Sequence, residues 1–328
     1  MTTTIPASAP PTQLATPHNA LLEGALFVAL GTLIFSVTLP ATRFASPALG
    51  GWTVGFGRLV IAGFVGALIL ILRREKLPTR EQFRKLAVVI LGVIFGFPIL
   101  TSIALERVPA NHGAVMTGII PLVTAVFGII RDRQRPPILF WVSCGIGVLA
   151  VILFAWSEGA GSFTPDDLLL FAAVTLAGFG YVEGGRLARE MRGWRVICWA
   201  VAISGPFAIV PLILNIQSNI TAGRDYSAIP IQAVMGLLYL SVFSQILGFF
   251  AMYHGLAVGG VARVSLVQLV QPFLTLIWAA LLLREEIKLT TALVAIMVIV
   301  NIGFSQWVWR RAAIRARRSG TLPLVADR

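Results

Sequence analysis

Charge is scarce in this chain: 12% of its 328 residues are Asp, Glu, Lys or Arg, against roughly 25% in a soluble domain. With 57% hydrophobic residues and a mean hydropathy of +0.86, that shortage excludes a water-soluble globule. Acids are the rarer sign, 14 against 26 Lys and Arg. Residues for metal and redox chemistry are scarcer still, with three His and two Cys. Cys144 and Cys198 both fall inside apolar runs, where a cysteine is a small buried hydrophobe and not half of a disulfide or metal pair. No HExxH, nucleophile elbow or Walker sequence occurs, and no two acids pair inside a span, so nothing points to zinc hydrolysis, acyl transfer or ATP use. No cofactor is implied. Residues 1–20, "MTTTIPASAPPTQLATPHNA", lack the basic start of a secretory signal and read as a disordered cytoplasmic tail.

Long apolar runs are what the chain does have. A helix rises ~1.5 Å per residue, so a run of about 20 crosses a ~30 Å hydrocarbon core. Reading from breaker to breaker gives ten such spans, near residues 21–41, 52–72, 84–105, 109–130, 138–156, 166–187, 194–214, 230–254, 260–282 and 290–309. The predicted class is an all-α integral membrane protein. If the N-terminus is cytoplasmic, 20 of the 26 Lys and Arg fall in cytoplasmic segments, among them "RREKLPTREQFRK", "RDRQR" and the 310–328 tail. Such a bias predicts both termini inside, in the cell inner (plasma) membrane. It also disposes of nucleic acid as a partner, since the +12 net charge is a topology signal. The expected partners are the bilayer and a small-molecule substrate, with the chain a monomer or a homodimer.

The chain carries an internal repeat. "NHGAVMTGIIPLVTAVFGIIRDRQR", residues 111–135, aligns without gaps on residues 262–286 at an offset of 151, placing Pro121 on Pro272 and Thr124 on Thr275. Each half, 21–156 and 166–309, holds five spans, and in each the proline-containing fourth span follows its predecessor after a tight turn. Five is odd, so the second half starts on the opposite side and the copies are inverted, as in many secondary transporters.

The ninth span with its end, "ARVSLVQLVQPFLTLIWAALLLREEIKL", the eighth, "YLSVFSQILGFFAMYHGLAVGGVARVS", and the sixth, "AGFGYVEGGRLARE", resemble the EamA family of the drug/metabolite transporter superfamily. The resemblance covers residues 21–310. It implies a ten-span exporter working by alternating access, with amino acids or related amphiphiles as the favoured cargo.

Polar groups inside the bilayer are tolerated when they face a cavity or one another. Gln268 and Gln271, three apart, share a helix face with Thr275, as hydrogen-bonding glue between helices or as contacts to substrate. Pro272 removes a backbone donor, and with Pro121 it suggests a paired hinge or a packing kink. In the sixth span Tyr181 and Glu183 sit among four glycines, which predict either tight packing or a flexible half-helix. Glu183 reads as a partner of Arg186 or as a coupling site. His254 suits proton coupling or an interfacial bond. Gln245 and Ser36 add polar groups to the candidate cavity, and Trp278 an aromatic one. Arg58, in "FGRLV", reads as a buried or interfacial cation, in the latter case an anchor to outer headgroups. Together these residues predict a secondary transporter; the alternatives are a membrane-embedded enzyme or a channel.

Overall fold

The structure, a computed structural model, describes residues 17–131, 164–259 and 265–286, with scattered positions at 138–149 and 289–311. Among the described residues every regular element is helical. In chain order these are α1 (Pro17–Ser36), α2 (Thr38–Leu49), α3 (Gly51–Leu72), α4 (Arg80–Val89), α5 (Phe97–Arg107), α6 (Ala110–Thr117), α7 (Ile120–Arg131), α8 (Pro165–Met191), α9 (Gly193–Thr221), α10 (Ile231–Leu238), α11 (Phe249–Gly259) and α12 (Gln271–Leu283). A π-helical stretch, Ile90–Gly96, joins α4 to α5, a second, Tyr239–Gly248, joins α10 to α11, and a 3-10 segment, Ser265–Val270, precedes α12.

Six of the described helical stretches are long and apolar enough to cross a membrane: Leu22–Leu49, Gly51–Leu72, Arg80–Arg107, Pro165–Met191, Gly193–Thr221 and Ile231–Val258. Shorter apolar helices cover His112–Gly128 and Gln271–Leu283, the regions expected to hold the fourth and ninth spans. Most of the expected fifth and tenth spans, with Cys144, lie outside the described residues.

Local chemistry sets the boundaries. Thr164 Oγ1 accepts from the Asp167 backbone N–H at 3.3 Å while Asp167 Oδ2 accepts from Thr164 N at 3.0 Å, a reciprocal cap that starts α8. Gly50, at φ +89°, supplies the left-handed turn between α2 and α3. Within lipid, helices associate by close packing of small residues. A Cβ on Gly63 of α3 would lie 2.7 Å from the Gly205 Cα of α9. One on Gly92 would lie 2.8 Å from the Gly180 Cα of α8. Of the two readings of the glycines in the sixth span, the structure shows tight packing, because α8 runs unbroken for 27 residues.

The two prolines paired by the repeat begin α-helices rather than lie in their interiors. Pro121 and Pro272 are each the second residue of their helix, α7 and α12, where a missing N–H leaves no intrahelical bond unmade. The interruption lies just before them, at Gly118 and Ile119 in one case and at the 3-10 segment in the other. An offset of 151 carries the start of α7 onto the start of α12 and carries Ile90–Gly96 into Tyr239–Gly248.

Charged contacts gather at the two ends of the bundle. At one end lie Glu23 with His254 at 2.9 Å, Glu75 with Arg195 at 2.9 Å, Lys85 with Glu190 at 2.7 Å and Arg131 with Glu183 at 2.6 Å. At the other lie Arg107 with Asp166, His112 with Asp167 at 2.6 Å, Glu106 with Arg224 at 3.0 Å, and the Ala110 N–H, which donates to Glu285 Oε1 at 2.9 Å. Every one of these contacts joins the first half of the chain to the second.

Candidate functional site

Between those ends the two halves line a cavity of about 470 Å³, open solvent at its mouth included. Each half contributes through its π-helical stretch: Val93 from one, Ser244 and Gln245 from the other. A π turn displaces backbone carbonyls from the α-helical ladder and is frequent at functional sites. Here the Val93 carbonyl accepts from Gln245 Nε2 at 3.4 Å, a long bond, while Gln245 Oε1 is buried without a hydrogen-bond partner. Thr38 of α2, Arg58 of α3 and Thr117 of α6 add polar groups, and Phe35, Phe97, Phe249 and Tyr181 form aromatic wall. Tyr181 stacks on Phe249 with ring centres 5.8 Å apart and planes at 28°.

A second cavity adjoins the first and shares Thr117, Ile120, Tyr181 and Gln271 with it; Gln268 and Pro272 complete its lining. The structure thus brings Gln268, Gln271, Tyr181, Gln245 and Pro272 to one place. The interrupted start of α12 explains how both amides reach it: Gln268 belongs to the 3-10 segment and Gln271 to the α-helix, so they do not share a regular α-helical face as the spacing predicts. Thr275 turns back on its own helix, donating to the Gln271 carbonyl at 3.0 Å.

Other predicted residues lie elsewhere. Trp278 Nε1 donates to Ser36 Oγ at 3.0 Å, and Ser36 donates to the Leu33 carbonyl at 2.7 Å, a chain that ties α12 to α1 outside both cavities. His254 is half-exposed, bonded to Glu23 and edge-on to Phe27 at 4.4 Å. Glu183 is buried, yet Arg131 Nε donates to its carboxylate from another helix, an interhelical partner that spacing within the sixth span does not reveal. Neither Glu183 nor His254 lines a cavity.

The structure decides between a buried and an interfacial cation in the case of Arg58. It does not reach the headgroups: its relative exposure is 2%, and Nη2 donates to Ser244 Oγ at 3.3 Å. Ser244 in turn shares a 2.9 Å bond with Thr38 Oγ1. Arg58 stands seven residues inside α3, about 10 Å along its axis, and its side chain turns into the bundle. The unusual residue, a lone cation deep in an apolar span, is visible in sequence; its direction is set by residues 186 positions away.

Comparison with known proteins places the chain among transporters. The profile of the EamA-like transporter family matches residues 22–156 and again 165–305. YdeK of Bacillus subtilis, described as an uncharacterized transporter, is 40% identical over 271 residues, covering 83% of this chain and 92% of YdeK. A Chlamydia trachomatis protein described as an S-adenosylmethionine/S-adenosylhomocysteine transporter is 24% identical over 197 residues, 55% of this chain and 59% of its own. A solved crystal structure superposes with a TM-score of 0.59 over 90% of this chain and 99% of its own, at 16% identity, which is a likeness of fold.

Proposed function

The chain belongs to the EamA-like transporter family, and on that premise we propose that it is a ten-span secondary transporter exporting small organic metabolites, amino acids or related amphiphiles, by alternating access. The observation that carries this reading is the polar cavity held between two layers of contacts that each join the two halves of the chain. Alternating access requires those layers to open one at a time around a fixed site. Opening the layer at Glu183 and Arg131 exposes the cavity to one side; opening that at Glu106 and Arg224 exposes it to the other. Two inverted five-span repeats are the architecture that provides such a pair of layers. Supporting it are the double family match and the recurrence, at an offset of 151, of the π-helical stretch and the proline-led helix.

Gln268, Gln271, Tyr181 and Gln245 are the substrate contacts in this reading, and Pro121 and Pro272 mark the breaks about which helices move. Glu183 and His254 belong to the closing layer. The cargo of the Chlamydia trachomatis relative, an amino-acid derivative by its description, supports the substrate class. Purified protein in liposomes loaded with radiolabelled amino acids is expected to release them faster than empty liposomes do, down an imposed gradient. No release of any amino acid or other metabolite in a broad panel would sink the reading.

A further inference from the structure

We propose that Arg58 is the recognition residue for an anionic group, a carboxylate or a phosphate, on the transported molecule; this rests on the cavity being the transport site. Among the described residues Arg58 is the one charged residue lining either cavity. Its guanidinium is buried, and only Nη2 has a partner, the neutral Ser244 hydroxyl; Nε and Nη1 have none among the described residues. Among the described residues no ion pair involves Arg58, and the buried Glu183 carboxylate is engaged by Arg131.

Taking a cation out of water without a counter-charge is costly, and inside a membrane protein such a residue marks a functional pathway by default. The planar guanidinium presents its donors as a fork that fits two oxygens of a carboxylate or phosphate at once. Nη1 is unpaired and Nη2 spends only one of its two hydrogens, on the neutral Ser244 hydroxyl, so the Nη1–Nη2 edge beside the cavity can present two donors to such an anion. The rest of the lining says what the anion is attached to. Tyr181 stacked on Phe249, with Phe35 edge-on to Phe249 at 4.9 Å, offers an apolar and aromatic wall. Gln245 Oε1, unpartnered, accepts from a donor on the same molecule. The cargo is therefore an organic anion with an apolar body and a hydrogen-bond donor.

The test compares binding of 3-phenylpropionate, phenylalanine, phenyl phosphate and the neutral 3-phenylpropionamide to the full-length protein in detergent. The wild type, Arg58→Lys and Arg58→Met are measured. At least one acid is expected to bind, with the amide at least tenfold weaker; which acid binds separates carboxylate from phosphate. Arg58→Lys, which keeps the charge and loses the fork, is expected to weaken binding about tenfold, and Arg58→Met to abolish it. Ligand-free Arg58→Met is expected to melt no lower than wild type, because it removes an uncompensated buried charge; a purely structural arginine would give a lower melting temperature. Should the Met variant fail to fold, the lysine variant carries the comparison. The inference is overturned if no acid binds, if the amide binds as tightly as the acids, or if Arg58→Lys binds them unchanged. Arg58-dependent binding without flux in liposomes would keep this assignment and remove the transporter reading. Flux of a neutral solute that survives in Arg58→Lys would do the reverse.

Discussion

The amides at the start of α12 and the ion pair of Glu183 with Arg131 have different duties in the proposed reading, and single substitutions separate these. Gln268 and Gln271 line the cavities, whereas an amide serving only as interhelical glue contributes about 1 kcal/mol. Gln268→Ala and Gln271→Ala are expected to lower the transport rate at least fivefold while leaving the melting temperature within about 0.5 °C, a shift that corresponds to well under 1 kcal/mol. Equal loss of folded protein and of rate would return both residues to glue. Glu183 and Arg131 face each other at 2.6 Å, one buried and one half-exposed. A double-mutant cycle with Glu183→Gln and Arg131→Gln, read by thermal unfolding, is expected to show a coupling of at least about 0.5 kcal/mol, the lower range for residues in direct contact. Strict additivity would mean that the contact holds nothing closed. The amides are conspicuous in sequence because lipid tolerates few of them, but Arg58 resembles any snorkelling cation until its partner Ser244, itself bonded to Thr38, is seen.

Several helices here are interrupted where they meet the cavity, though not α3 or α8, and packed by glycine where they cross. A leucine side chain at Gly180 has no room: its Cβ alone would lie 2.8 Å from Val93 Cγ1 and 3.2 Å from the Gly92 Cα. Gly180→Leu is expected to destabilise the protein by about 1–3 kcal/mol, the usual range for overpacking, with a lower thermal midpoint as the readout. Pro272→Ala tests the opposite kind of feature. At the second position of α12 a proline fits a helix start well, so its loss is expected to leave stability nearly unchanged. Restoring the backbone donor lets the α-helix extend back through Val270, however, and slowed transport at unaltered melting temperature is the expected result. Length and hydropathy made the spans legible, as did the prolines that lead α7 and α12. The π-helical stretches were not, because "ILGVIFG" and "YLSVFSQILG" have the composition of any apolar span. Their wide turns are fixed by packing against other helices, as at Gly92 and Gly180.

At the scale of the whole molecule, the distribution of positive charge predicts which end of the bundle faces the cytoplasm. The segment joining α3 to α4, with exposed Leu77, lies at the end of Glu75 and Arg195; the loop after α9, with exposed Ser227, lies at the end of Arg224. In intact cells Ser227→Cys is expected to react with a membrane-impermeant maleimide and Leu77→Cys only after permeabilisation. The reversed pattern would invert the proposed topology. Native Cys198 is buried, so the unmodified protein serves as background. How the halves meet was hidden from the sequence, since ion pairs such as Lys85 with Glu190 at one end and Glu106 with Arg224 at the other span from one half to the other. Only the repeat, with its 151-residue spacing, hinted that the halves face each other.

The wide turns at Ile90–Gly96 and Tyr239–Gly248 also bear on how the chain tolerates lost residues. In a regular spanning helix, removing one residue rotates all that follows by about 100° and shifts it by ~1.5 Å, turning lipid-facing side chains into the bundle. A π-helical stretch already holds more residues per turn than the α-helical ladder requires. One residue deleted between 90 and 96, or between 239 and 248, tightens the turn to α pitch and leaves the flanking helices nearer their original register. Such single-residue deletions are expected to yield folded protein at these two places and not at the middle of α3 or α8, while withdrawing from the cavity the carbonyl that Val93 presents to Gln245.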